Sequence, residues 1–93
     1  MASSVRHDPD RSRYELVLDD VVVGVADYRR RDETWVFPHT EITPALRGRG
    51  HGAELVQGAL DDVRRSGGKV VPHCWYVAEF IDTHPSYQDL LAG

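Results

Sequence analysis

Three glycines at alternate positions, Gly48, Gly50 and Gly52, separate the extended run Thr34 to Ile42 from an amphipathic helical pattern that lasts to Ser66. A strand that passes into a helix through such a turn can bend tightly and bring several main-chain N–H groups to one ligand. The first turn of the helix adds unpaired N–H groups and a partial positive charge, and Arg47 and Arg49 stand beside them. The corner suits an anion, with phosphate the natural guest. A glycine-rich turn alone also fits a plainer reading, a compact strand-to-helix connection with solvated arginines.

Spacing sorts the phosphate motifs. A Walker loop ends in Gly-Lys-Ser/Thr, which is not found here, and a Rossmann fingerprint has its last two glycines three apart, whereas these are two apart. What fits is Arg-x-x-Gly-x-Gly, satisfied by Arg47, Gly50 and Gly52. It resembles the pyrophosphate-binding motif of the GNAT superfamily of acetyl-CoA-dependent N-acetyltransferases. The ordered runs His39-Thr40-Glu41-Ile42-Thr43-Pro44, Lys69-Val70-Val71-Pro72-His73-Cys74 and His84-Pro85-Ser86-Tyr87-Gln88-Asp89-Leu90 extend the likeness to the small single-domain members, over roughly residues 13 to 91.

Taken in order, residues 1–12 are polar, include Pro9 and show no periodicity, so a flexible leader is expected, followed by one domain over 13–93. Arg13 to Leu18 alternates, with Tyr14, Leu16 and Leu18 inward and Arg13 and Glu15 outward, as in a half-buried strand. Asp19-Asp20 turns the chain into a second, antiparallel strand, Val21 to Tyr28, in which Gly24 marks a bulge or a close backbone approach. Arg29 to Glu33 turns it again. Thr34 to Ile42 is the third strand, and Pro38, which has no N–H, predicts a bulge or a change of pairing near Pro38 to Thr40.

In the following helix Val56, Ala59, Leu60 and Val63 make one buried stripe, and Gly58 is costly unless it permits a close contact with the sheet. Lys69 to His73 then forms a strand parallel to the third, which completes a βαβ unit. Val77, Phe80, Ile81 and His84 share a helical face until Pro85, and Tyr87, Leu90 and Leu91 suggest a short terminal helix. The fold class is α/β with a mixed sheet: an antiparallel meander, a βαβ unit and C-terminal helices, the minimal GNAT-like core.

Composition sets limits. Ninety-three residues support one core and one site. A net charge of -4 with 11 basic residues argues against a nucleic-acid surface. The single Cys74 excludes an internal disulfide, and Met1 to Asp8 has no apolar run for a signal or a membrane span, so a cytoplasmic setting is expected. No zinc-type ligand spacing is present, and no metal site is expected.

The resemblance implies an acetyl-CoA site with the pyrophosphate at the N–H groups of Arg47, Gly48, Arg49, Gly50, His51 and Gly52. The third and fourth strands would splay, and the pantetheine arm would take backbone partners from Thr40, Glu41 and Ile42. Transfer to an amine needs a base, because a lysine-like amine has an unperturbed pKa of about 10.4. Glu41 and His39, two residues apart on the third strand, point the same way and are the candidates. Cys74, at the end of the fourth strand, is the third catalytic candidate: it would accept the acetyl group or protonate the leaving thiolate, helped by His73 or His84. Tyr76 and Tyr87 are alternative proton donors. Each of these residues also has a structural reading, in packing or at the surface.

The acceptor is an amine-bearing small molecule, peptide or protein, or one whose site a partner subunit completes, as in a homodimer. The chain departs from larger members in lacking their first strand with its two helices and their last strand pair, which leaves the acceptor open. Two other readings stand beside catalysis: a non-catalytic CoA-binding module, and a protein-interaction domain that uses the helices from Trp75 to Leu91 as an apolar surface.

Overall fold

The computed structural model describes residues 2–92. Along the chain lie β1 (Ser3–Asp8), β2 (Arg13–Leu18), β3 (Val21–Arg31), β4 (Thr34–Ile42), α1 (His51–Arg65), β5 (Lys69–Pro72) and α2 (Trp75–Thr83), with 3-10 turns at Pro9–Arg11, Pro44–Leu46 and Pro85–Leu90. The strands form one mixed sheet in the order β1-β2-β3-β4-β5, antiparallel throughout except for the parallel β4–β5 pair. This is the expected meander and βαβ unit, with one strand more.

That additional strand corrects the expectation of a flexible leader. Ser3 to Asp8 pairs antiparallel with the whole of β2, from Ser3 opposite Leu18 to Asp8 opposite Arg13. Its only apolar residue, Val5, explains Gly58 of α1: a Cβ on Gly58 would lie 2.5 Å from Val5 Cγ2. Glu15 is corrected with it. Far from facing water, it is 1% exposed, because Arg6 of β1 and Arg13 of β2 close over its carboxylate. Arg6 donates to Oε1 from Nε (3.0 Å) and Nη2 (2.7 Å), and Arg13 donates to Oε2 from Nε (2.9 Å) and Nη2 (2.7 Å). These bonds hold the Glu15 pKa below the usual carboxylate range, with Arg6 the largest cause, in spite of burial.

The helical stripe is as expected: Leu55, Val56, Ala59, Leu60 and Val63 are buried against Tyr14, Leu16, Trp35 and Phe37 of the sheet. Beside α1 packs α2, which buries Val77, Phe80 and Ile81 in the same core. Those residues, together with Leu90, point inward, and of the segment considered above as an apolar surface Trp75 and Leu91 are the large apolar side chains left exposed among the described residues. The second hairpin also differs in detail. β3 runs on to Arg31 and turns at Asp32, whose φ is +52°, so Arg29 to Arg31 are strand rather than loop. The chain end is a 3-10 turn tied to α1 by Arg64, which donates to both carboxylate oxygens of Asp89 and to Ser86 O.

Candidate active site

The site begins with a bulge. Asp27 of β3 faces His39 and Arg29 faces Val36, so the single residue Tyr28 lies opposite two, Phe37 and Pro38. An extra residue in one strand switches which side chains face inward. Before the bulge Trp35 and Phe37 enter the core; after it Thr40 and Ile42 are half-buried while His39 and Glu41 are exposed. Main-chain groups switch in the same way. Thr43 N–H bonds Val23 C=O at 2.8 Å, which fixes the ladder so that residues 39, 41 and 43 turn their main chains to β3. Thr40 and Ile42 turn theirs to the opposite edge.

On that edge β5 has already left. The last β4–β5 pair is Phe37 with Pro72, and the last bond between them is Cys74 N–H to Phe37 C=O at 2.8 Å. Pro38 and Pro72 lack N–H groups, so neither strand can extend the ladder there. By this parity the main-chain N–H groups of Thr40 and Ile42 point away from β3, to an edge where among the described residues no β5 residue is paired, and Ile42 C=O receives the Arg47 Nε–H at 3.3 Å. The strands splay as expected.

The gap is a cleft of about 510 Å³ lined by His39, Thr40, Glu41, Ile42, Leu46, Arg47, Gly48, Gly50, Gly52, Cys74, Trp75 and Tyr76. Its far end is the glycine turn. Gly48 and Gly50 have φ of +80° and +81°, and a Cβ at either would meet nothing within 4 Å, so the backbone there lies bare. Gly50 precedes α1 without a side-chain cap, and Glu54 N–H is the first to close onto Gly50 C=O, at 3.1 Å. The N–H groups of His51, Gly52 and Ala53 precede that bond and are left for a ligand. Gly52 has a different reason: a Cβ there would come 2.7 Å from the Tyr76 hydroxyl, so the third glycine lets α2 lean its tyrosine on the turn.

Ten of the residues singled out above therefore share one cleft: His39, Thr40, Glu41, Ile42, Arg47, Gly48, Gly50, Gly52, Cys74 and Tyr76. Arg49 and His51 fall outside its lining; Arg49 is exposed, and the His51 ring turns to Glu54 (Nδ1 to Oε1 3.8 Å). Cys74, 8% exposed, has Thr40 as its polar neighbour, Sγ to Oγ1 3.6 Å, rather than a histidine. His73 is exposed, and His84 is stacked on Phe80 with Nδ1 2.7 Å from Phe80 C=O. Tyr87 is also engaged elsewhere: its hydroxyl donates to Asp61 at 2.8 Å, and burial, then that bond, push its pKa up to about 12. Tyr76 does line the cleft, with its pKa raised by burial and then by Glu79, so it keeps its proton at neutral pH. His39 Nε2 lies 3.7 Å from Glu41 Oε2 at the solvent edge.

Leu46 and Trp75 were not singled out from the sequence. The position of Trp75 directly after Cys74, at a strand end, was the signal available for it.

A family model described as GCN5-related N-acetyl-transferase matches residues 13–90. The chain belongs to the GCN5-related N-acetyltransferase family. It is similar to Protein NATD1 of Xenopus tropicalis, 32% identical over 94 residues that cover 96% of this chain and 85% of that protein. Protein NATD1 of Homo sapiens is 38% identical over 89 residues, covering 92% and 78% respectively. The fold is shared with a GCN5-like protein of Staphylococcus aureus solved in solution by NMR, with a TM-score of 0.72, 20% identity, and coverage of 97% of this chain and 88% of that one.

Proposed function

We propose that the cleft binds acetyl-CoA and that the chain transfers the acetyl group to a primary amine. The observation that carries this reading is one continuous donor surface: the unpaired edge of β4 at Thr40 and Ile42 runs into the bare glycine turn and the open N–H groups of α1. An extended arm with amides needs the first, and a diphosphate needs the second. Arg47 stands between them, on the lining.

Acetyl-CoA supplies an acyl carbon activated as a thioester. Glu41, with His39 beside it, takes the proton from the incoming ammonium so that the amine nitrogen attacks that carbon. The C–N bond would form, the nitrogen would give its second proton to water, the C–S bond would break, and the departing thiolate would take a proton from Cys74 or from the Tyr76 hydroxyl, which water restores. Because of the bulge, His39 and Glu41 face away from the side on which Thr40 meets Cys74, so base and proton donor stand on opposite sides of β4. The acceptor then arrives from the sheet face that carries His39 and Glu41.

A non-catalytic CoA-binding role has one observation in its favour: the His39 and Glu41 side chains are 55% and 61% exposed, open to water at the place where the amine would be deprotonated. Two measurements separate the readings. Acetyl-CoA at a hundred times its dissociation constant should stabilise the fold by about 2.7 kcal/mol in a thermal-shift titration. Thiol release in the presence of amines then reports transfer, and Cys74→Ala should keep the shift while lowering turnover. An unchanged melting temperature with saturating acetyl-CoA removes both readings; a shift without thiol release leaves only the binding role.

A further inference from the structure

We propose that Tyr76 is a ligand of the cofactor's diphosphate: its hydroxyl adds a side-chain donor to the main-chain N–H groups of the glycine turn, and it does not supply the proton of the departing thiolate. This rests on the acetyl-CoA reading of the cleft and goes beyond it by dividing the two proton-donor candidates between two tasks.

The position of the hydroxyl is set by Gly52. A Cβ at that residue would lie 2.7 Å from Tyr76 Oη, 2.9 Å from Cζ and 3.1 Å from Cε2, so the phenol tip fills the space where any other residue would carry its side chain. Gly52 is the second residue of α1, within the stretch His51, Gly52 and Ala53 whose N–H groups precede the first helical bond. A Cα–Cβ bond in a helix leans toward the N-terminus, the direction in which those N–H groups also point. The hydroxyl therefore stands beside the open donors, at the end of the cleft where Gly48 and Gly50 lie bare.

The other tyrosines show what a hydroxyl in this fold does when its task is structural. Tyr14 donates to Asp62 at 2.7 Å, Tyr87 donates to Asp61 at 2.8 Å, and the Tyr28 hydroxyl lies 2.6 Å from His7 Nε2. Among the described residues the Tyr76 hydroxyl has no such bond, although its ring is half-buried and set edge-on to Trp75 at 5.6 Å. A glycine thus makes room for a hydroxyl that the protein itself leaves unbonded, and the groups beside it are arranged to receive an anion. Burial, then Glu79, hold the phenol pKa up, so at neutral pH the hydroxyl stays a donor. Cys74 is placed otherwise. Its main chain is bonded to Phe37 where β4 and β5 part, and its thiol turns to Thr40 at 3.6 Å. The thiol arm of the cofactor ends at that parting, so the proton for the thiolate falls to Cys74.

The test uses the full chain and its Tyr76→Phe variant, which keeps the ring and loses only the hydroxyl. Without ligand the two should melt together, because the hydroxyl has no protein bond to lose. Calorimetry is run with CoA and with dephospho-CoA, which keeps the diphosphate and lacks the ribose phosphate. For both ligands the variant should bind about tenfold more weakly. In phosphorus NMR of the saturated proteins the diphosphate signals should differ between wild type and variant, while the ribose phosphate signal stays in place. In transfer assays the same loss should appear as a higher KM for acetyl-CoA. Equal CoA affinity in the two proteins overturns the proposal, as does a loss seen with CoA and not with dephospho-CoA, which would move the contact to the ribose phosphate. A lowered turnover with affinity unchanged returns the tyrosine to proton transfer and overturns it too. Failure of the wild-type chain to bind CoA is a separate result: it removes the acetyl-CoA reading and this proposal with it.

Discussion

Around β1 the polar side chains Glu15, His7 and Tyr14 all have partners, whereas beyond the bulge of β4 the N–H groups of Thr40 and Ile42 turn to an edge with no strand on it. Glu15 has both oxygens occupied by guanidinium groups. His7 lies stacked on Tyr14 with centroids 4.4 Å apart, its Nε2 2.6 Å from the Tyr28 hydroxyl and its Nδ1 3.5 Å from Asp62, to which Tyr14 also donates at 2.7 Å. At the other end of the sheet, Thr40 and Ile42 present an unpaired edge, and Gly48 and Gly50 leave their backbone uncovered. A domain this small has little stability to spare, and unmade hydrogen bonds are costly. The contrast shows where the fold is locked and where it is kept open for a ligand.

The comparison is open to attack from both sides. Removing residues 2–8 should cost at least about 3 kcal/mol in urea unfolding, because the charge-assisted bonds of Arg6 and the cover over Tyr14 go with the strand; a loss under 0.5 kcal/mol would mark β1 as dispensable. Next comes Gly50→Glu, which should abolish the roughly 2.7 kcal/mol of stabilisation expected from acetyl-CoA at a hundredfold excess over its dissociation constant. It places a charge against the diphosphate and a side chain where φ is +81°.

Glu15→Gln should then lower stability by about 2 kcal/mol at pH 7, since two charge-assisted pairs are weakened while both arginines keep access to water. The sign with pH follows from the depressed pKa. The contribution of Glu15 is complete above the unfolded carboxylate value of about 4.3 and disappears as pH falls through the lower folded value, so wild type and variant should converge in acid. The smallest stability effect belongs to Glu41→Gln, within about 0.5 kcal/mol of wild type because the side chain is 61% exposed. Turnover should nevertheless fall by about a hundredfold or more if Glu41 is the base, and an unaltered rate would pass that role to His39 or to water.

Much of the open end could be read from the sequence because its causes are local. Pro38 forbids a ladder bond, alternate glycines permit a bare turn, and the spacing of Val56, Ala59, Leu60 and Val63 fixes which side of α1 is buried. The locked end depends on distant partners. Ser3 to Asp8 has a single apolar residue, and its order comes from β2 and from the slot left by Gly58. Glu15 reads as a surface carboxylate until Arg6 is known to lie next to it in space. Trp75 was legible only as the start of an apolar helical segment, and the parting of β4 and β5 is what puts it at the rim of the cleft.

The bulge at Phe37 and Pro38 acts as a parity bit for the active strand. Deleting one residue there would exchange the two alternating sets downstream, sending carboxylate and imidazole toward the interior and a threonine and an isoleucine into solvent. Engineering of this domain therefore has to treat the length of β4 as invariant.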